Sequence, residues 1–158
     1  MSPILVWDLP TRLFHWLFTG TVLCAMAIAL VVDDDSTLFQ AHMLLGLVAG
    51  FMVLLRLVWG FAGSRYARFG SFLFGPKALV EYLVGVFRRR GERHIGHNPG
   101  SAYAICAMLL LALGLALSGL MMPSWKALEE LHEVTAYSML LMAGAHRGSV
   151  GSCCQRAR

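Results

Sequence analysis

The sequence has few charged residues. Only 14% of its 158 residues are Asp, Glu, Lys or Arg, whereas 58% are hydrophobic and the mean hydropathy is +0.65. A soluble domain would be about a quarter charged. This deficit excludes an ordinary soluble domain and predicts one domain, built as a helical bundle in a membrane.

The sequence also lacks cysteine motifs and a cleavable leader. Its four cysteines form no CxxC or CxxCH pattern, so neither a zinc site nor covalent haem attachment is indicated. No short apolar stretch with a small-residue cleavage site opens the chain, so we expect the first apolar run to be a retained span. The net charge of +4 does not indicate nucleic-acid binding, because most basic residues fall in one connection between apolar runs.

Four apolar runs are present, at about residues 13–32, 38–61, 102–122 and 131–146. The first three are long enough to cross a bilayer, which takes ~20 residues, whereas the fourth is shorter than that. The polar connection at 62–101 has seven basic residues and contains, from Pro76, the apolar periodicity of an amphipathic helix too short to span. We predict an all-α integral membrane four-helix bundle with a short fourth helix and a cytoplasmic-side interfacial helix.

The distribution of charge predicts the orientation of this bundle. The arginine-rich connection at 62–101 should be cytoplasmic by the positive-inside rule. Four spans then place both termini in the cytoplasm and the Asp33–Asp35 loop outside. The expected location is the bacterial inner membrane, with the protein multi-pass.

Four histidines lie within or beside the spans, at matched depths. His132 and His146 are 14 residues apart, which is within about 40° of four helical turns, so both leave one helix face. The alternating direction of the spans pairs His42 with His132 near the outer side and His15 with His146 near the inner side. Two bis-histidine levels are typical of non-covalent, six-coordinate b-type haem, whereas a zinc site would need more ligands at each level.

Alternatives remain for these polar residues. The histidines could be structural, or part of a proton path in a non-redox membrane anchor or small transporter subunit. Arg56 lies 14 residues after His42, so it could pair with a haem propionate or extend to the cytoplasmic interface. Gly46 and Gly50 permit close approach of a helix or of a flat ligand. The loop histidines, His94 and His97, are expected to be solvated, with a quinone-site role as the alternative.

Six segments resemble the prokaryotic cytochrome b561 family, which includes the b-type cytochrome subunit of nickel-iron hydrogenases. They are VWDLPTRLFHWLF (6–18), AHMLLG (41–46), RLVWGFAGSRYARF (56–69), GPKALVEYL (75–83), GHNPG (96–100) and LHE (131–133). The resemblance implies a four-helix di-haem protein that moves electrons between a partner and the quinone pool. By position, His15, His42, His132 and His146 match the ligands of that family.

The sequence departs from this family after His146. Residues 147–158 form a polar tail unlike the family's continued fourth helix, and a truncated or frame-shifted gene is our interpretation. The di-haem domain is therefore expected at 1–146. Because His146 would end a frayed helix, the inner haem is expected to be weakly held.

The partners expected from these features are lipid, quinone and a redox protein. The redox protein could be a hydrogenase, another dehydrogenase or a c-type cytochrome, and a second copy of the chain is a further candidate. Six-coordinate iron leaves no position for a substrate, so we expect an electron-transfer subunit rather than a stand-alone enzyme.

Overall fold

A computed structural model describes residues 8–65, 67–71, 74–88 and 98–154, with the backbone alone at 87 and 147–154. It contains α1 (Leu9–Val31), α2 (Phe39–Ala62), α3 (Pro76–Phe87), α4 (Pro99–Met121) and α5 (Leu128–Cys154), with a 3₁₀ turn at Phe69–Ser71. No strand occurs in these ranges, which confirms the all-α prediction. His94 and His97 lie outside the described residues.

Three helices are long and apolar enough to cross a membrane: α1, α2 and α4, with 23, 24 and 23 residues. Their large apolar side chains face outward, as at Trp16, Phe51 and Leu110, which are 72%, 61% and 70% exposed. Such surfaces are stable against lipid rather than water. The chain is therefore a membrane protein. Helix α5 is longer, at 27 residues, but begins with the acidic Glu129 and Glu130, so its crossing stays a prediction.

Two of the apolar helices begin with side-chain caps. Asp8 accepts a hydrogen bond from the backbone N of Thr11 at 2.9 Å, and Asn98 accepts one from the N of Ser101 at 2.7 Å. A proline lies in the first turn of each helix, where its missing N–H costs nothing. These local signals explain why α1 and α4 begin where they do.

The helices form two antiparallel pairs, α1–α2 and α4–α5, which are joined by contacts between α2 and α4. Each long helix contributes to one buried cluster, formed by Phe18, Val53, Leu109, Ala112 and Met139. Within the described ranges, α5 packs extensively only on α4 and makes at most marginal contact with α1 and α2. We call the boundary between α5 and the α1–α2 pair the seam. Side chains meet across it in the buried cluster, where Met139 of α5 lies with Phe18 of α1 and Val53 of α2.

The two ends of the bundle differ in their loops. We call the end formed by residues 32–38 and 122–127 the aspartate end, and the end formed by residues 63–75 and the start of α4 the arginine end. Helix α3 packs on the start of α4, where the Tyr82 ring lies against Gly100 and the Tyr103 hydroxyl donates to Phe74 O at 2.8 Å. The amphipathic helix is therefore present, and its position in the membrane surface remains a prediction.

The fourth long helix is longer than expected. It was predicted at 131–146, but α5 continues to Cys154, eight residues past His146. Gly and Ser in this tail lower helix propensity by at most about 1 kcal/mol per residue, and the tail has no proline to break the ladder. His146 is therefore not a terminal residue, and the reason for expecting a weakly held haem there no longer applies.

Candidate functional site

His42 of α2 and His132 of α5 face each other across the seam near the aspartate end. Their ring centroids are 6.2 Å apart and the ring planes are inclined at 77°. Both side chains are partly buried. This is the outer pair predicted from the sequence, and the structure brings it together although α2 and α5 are not packed against each other.

The hydrogen bonds of the two rings indicate which nitrogen carries the proton. His42 Nδ1 lies 2.9 Å from Ala25 O, a carbonyl that can only accept, so Nδ1 carries the proton. His132 Nδ1 lies 2.9 Å from Ser118 Oγ, and that hydroxyl donates its own hydrogen to Leu115 O. His132 Nδ1 is therefore also a donor. In each neutral ring, Nε2 keeps the lone pair that a metal binds.

The dimensions of this pair fit a metal held between two imidazoles. Two opposed metal–nitrogen bonds of ~2.0–2.1 Å separate the ring centres by about 6 Å, close to the observed 6.2 Å. Metal-bound histidines characteristically donate their other ring N–H to a carbonyl or polar side chain, as both do here. No group of three or more His, Cys, Asp and Glu side chains that could hold a metal ion occurs in the described part of the chain.

His15 of α1 and His146 of α5 form the second predicted pair, nearer the arginine end. The two imidazoles are close enough to interact electrostatically. His146 is partly buried, whereas His15 is exposed at the surface of the bundle. This pair also lies across the seam, because α1 belongs to one helix pair and α5 to the other.

Arg56 is buried inside the arginine end, with only 5% of its surface exposed. Its Nη2 donates to Ala67 O at 3.2 Å, and its guanidinium carbon lies 5.3 Å from the centre of the Phe69 ring. Its Nη1 has no hydrogen-bond partner among the described residues. The side chain therefore does not extend to the interface, one of the two alternatives left open by the sequence.

The small residues of α2 serve different roles. A Cβ added at Gly50 would lie 2.8 Å from Ala116 Cβ, so Gly50 allows α2 to approach α4. A Cβ at Gly46, one turn from His42, would meet nothing within 4 Å. Gly50 thus belongs to helix packing, whereas Gly46 leaves open space beside His42.

Two residues of the site were not identified from the sequence. Ser118 lies on α4, which was expected to be only structural, and it positions His132. Asp8 accepts hydrogen bonds from Trp59 Nε1 at 3.1 Å and Ser64 Oγ at 2.6 Å. A serine in an apolar span and the D-x-P start of α1 were the available signals.

Comparison with known proteins agrees with this geometry. The model of the prokaryotic cytochrome b561 family matches residues 6–150, which extends past His146. The probable Ni/Fe-hydrogenase 1 B-type cytochrome subunits of Escherichia coli K12 and O157:H7 are each 28% identical over 141 residues. These matches cover 72% of this chain and 57% of each relative, so the chain spans little more than half of their length. No solved structure matches.

The family match covers most of the chain, including both histidine pairs and Arg56. Its members are b-type cytochromes of membrane electron transfer, and haem b is the cofactor that membership implies. The chain belongs to the prokaryotic cytochrome b561 family.

Proposed function

We propose that this protein is a di-haem b-type cytochrome of the bacterial inner membrane, which carries single electrons between a redox partner and the quinone pool. Haem b, held by the paired histidines, would supply a one-electron redox couple. The chain then acts as an electron-transfer subunit rather than a stand-alone enzyme.

The observation that carries this proposal is the pair formed by His42 and His132. Two partly buried imidazoles lie 6.2 Å apart between α2 and α5, and their Nδ1 atoms are both engaged as donors. Because Ala25 O and Ser118 Oγ accept from these Nδ1 atoms, both Nε2 atoms would keep the lone pair that a metal ligand needs.

The second pair, His15 and His146, would hold the other haem at the arginine end. Arg56 is suited to bind one of its propionates, because Nη1 is buried and has no partner within the described ranges. A carboxylate would satisfy that donor and neutralise a charge that is costly to bury alone. Gly46 would leave room for the flat face of the ring held by His42.

The apolar cluster separates the two levels. Met139 lies seven residues from both His132 and His146, and it is buried with Phe18 and Val53. Seven residues are about two helical turns, so Met139 shares the histidine face midway between the levels. The cluster excludes water and keeps the path between the sites at low dielectric, which reduces the reorganisation that accompanies electron transfer.

The partners follow from the relatives and from the charges. The similar Escherichia coli proteins are described as hydrogenase subunits, so a nickel-iron hydrogenase is the redox partner that we propose, with another dehydrogenase or a c-type cytochrome as alternatives. The arginine end should face the cytoplasm by the positive-inside rule.

Absorption spectroscopy of the purified full chain tests this function. We expect a low-spin spectrum with a Soret band, an α band that sharpens on reduction with dithionite, and two haems per polypeptide. His42→Ala and His132→Ala should each remove the same redox-titrating component, and His15→Ala should remove the other. His97→Ala, a histidine of the basic connection, is the matched control and should leave both components.

Two results would contradict the proposal. Protein that lacks a Soret band after haem-supplemented expression would favour the non-redox anchor or transporter subunit. Loss of the same component in His132→Ala and His15→Ala would show that the histidines are paired differently.

A further inference from the structure

The charged side chains of the protein are divided between its two ends. The exposed carboxylates of the aspartate end and of the first two turns of α5 are Asp33, Asp34, Asp35, Glu129, Glu130 and Glu133, with Lys126 as the only cation in the loops that the structure describes there. The described cations of the arginine end are Arg12, Arg56, Arg65, Arg68, Lys77 and Arg88, against Asp8 and Glu81. The bundle therefore carries an electrostatic gradient along the line between the histidine pairs.

Arg56 differs from the other charges in its burial. The aspartates and glutamates are exposed, so water and salt screen them over about 8 Å at physiological ionic strength. Arg56 is 5% exposed, and no carboxylate lies within ion-pair distance of it in the described part of the chain. Asp8 interacts with it electrostatically, but that carboxylate already accepts hydrogen bonds from Thr11, Trp59 and Ser64.

The depth of Arg56 follows from the spacing on α2 and α5. Both helices run from the aspartate end to the arginine end, and His42 and His132 fix them side by side. Arg56 is 14 residues after His42, and His146 is 14 residues after His132. At about 1.5 Å per residue, both lie about 21 Å from the first pair. Arg56 is thus level with the second pair.

We infer that Arg56 sets the order of the two reduction potentials, raising that of the haem held by His15 and His146 above that of the haem held by His42 and His132. This inference rests on the function proposed above. A buried cation disfavours the oxidised state of nearby iron, which has one more positive charge than the reduced state, and a cation paired with a propionate does so by offsetting a negative charge that would favour that state. The exposed carboxylates act weakly in the opposite sense at the aspartate end.

The order of potentials gives electron flow a direction. In that order, a reduced partner at the aspartate end would supply electrons one at a time, and each would pass from the group held by His42 and His132 to the group held by His15 and His146. At the arginine end, two such electrons and two protons from water would reduce one acceptor of the quinone class.

A redox titration of the α band tests the inference, with the components assigned by His42→Ala and His146→Ala. The component lost in His146→Ala should have the higher potential. Arg56→Gln should lower the reduction potential of this component. At a fixed applied potential, the ratio of its oxidised to its reduced form should rise at least about tenfold, which corresponds to 59 mV for one electron. Arg56→Lys should restore most of the shift, and Arg68→Gln, which changes an exposed arginine of the same end, should not reproduce it.

A second set of variants, in the aspartate loop, tests the inference if the Arg56→Gln protein does not retain haem. Replacing Asp33, Asp34 and Asp35 by Asn in an exposed loop should raise the potential of the His42 component and narrow the gap. That effect should fade between roughly 0.01 and 1 M salt, as the Debye length falls from about 30 to 3 Å. The potential of the His146 component should change less over the same range, because Arg56 is buried.

The inference is overturned if the His146 component has the lower potential, if Arg56→Gln leaves its potential unchanged, or if the Asn variants widen the gap. Protein that binds no haem would contradict the proposed function instead. The two failures are therefore distinguishable.

Discussion

The indole Nε1 of Trp59 donates a hydrogen bond to Asp8 Oδ2 at 3.1 Å, although the two residues are 51 positions apart. The same carboxylate accepts from Ser64 Oγ and caps α1 through Thr11 N. It therefore ties the N-cap of α1 to the end of α2 and the loop that follows. His15 lies seven residues after Asp8, about two turns along the same face, so this contact also sets the depth of a proposed ligand.

The pKa of Asp8 makes this contact sensitive to acid. Burial alone raises that pKa, but the hydrogen bonds from Ser64, Thr11 and Trp59 outweigh it and lower the pKa from 3.8 to about 2. A carboxyl group with a lowered pKa in the folded state stabilises that state fully above about pH 4. The stabilisation is lost as the pH falls from about 4 to about 2.

We expect Asp8→Asn to lower the apparent melting temperature in detergent near neutral pH. The reason is that Thr11 N, Trp59 Nε1 and Ser64 Oγ would lose the negatively charged oxygens to which they donate. Asn caps a helix about as well as Asp, so the loss should reflect the missing charge rather than the missing cap. The difference between wild type and variant should shrink as the pH falls from about 4 to about 2, as measured by thermal unfolding across that range. Asp34→Asn, in an exposed loop, is the control. A difference that is constant with pH would show that the carboxylate charge is not responsible.

Several features of this protein were predictable because their causes are local. The apolar runs, the cap at Asn98 and the 14-residue spacing of His132 and His146 all depend on neighbouring residues along one helix. The prediction of α1, α2 and α4 as membrane helices is confirmed within a few residues of each end. The pairing of histidines followed from topology, which reverses direction at each span.

Other features depend on contacts that the sequence does not encode locally. Asp8 and Trp59 meet only after α1 and α2 have packed, and the burial of Arg56 depends on the loop at Ala67 and Phe69. The end of α5 was mispredicted because glycine and serine only weaken a helix, whereas a helix already packed on α4 continues through them.

Gly50 and Gly46 offer a matched pair of substitutions on one helix. Gly50→Ala places a methyl group against Ala116 and should destabilise the protein by about 1–3 kcal/mol, because α2 and α4 must separate. Gly46→Ala meets no atom within 4 Å and should be neutral or stabilising by up to about 1 kcal/mol in protein without haem. Thermal unfolding of both variants in detergent tests this. Equal destabilisation would mean that Gly46 also packs against a helix.

Ser118→Ala should weaken the haem site at His132 without removing a ligand. The substitution removes the hydroxyl that accepts from His132 Nδ1 and leaves Leu115 O as the remaining acceptor near that ring. Loss of such a partner typically costs 10–100-fold in metal affinity. The rate at which haem passes to an excess of a haem-scavenging apoprotein measures the effect, which should be confined to the His42 component. Ser138→Ala is the control, because that hydroxyl donates only to Val134 O of its own helix. Similar rates in both variants would contradict a positioning role.

The last prediction concerns the eight helical residues of α5 that follow His146. The final four carbonyls of a helix lack intrahelical partners, so a ligand in the last turn is held by a frayed backbone. In the full chain, α5 extends to Cys154, about two turns beyond His146, so the carbonyl of His146 does not lie in a terminal turn. A stop codon after Arg147 would move His146 into the terminal turn.

We expect this truncated chain to lose haem from the His15 and His146 component while it retains the His42 and His132 component, whose ligand on α5 is 14 residues away. Haem per polypeptide and a redox titration of both chains measure the loss. Gly148→Ala with Gly151→Ala in the full chain should act in the opposite direction, because each alanine favours the helix by up to about 1 kcal/mol. If the truncated chain kept both components at full occupancy, the residues after His146 would have no part in holding the ligand.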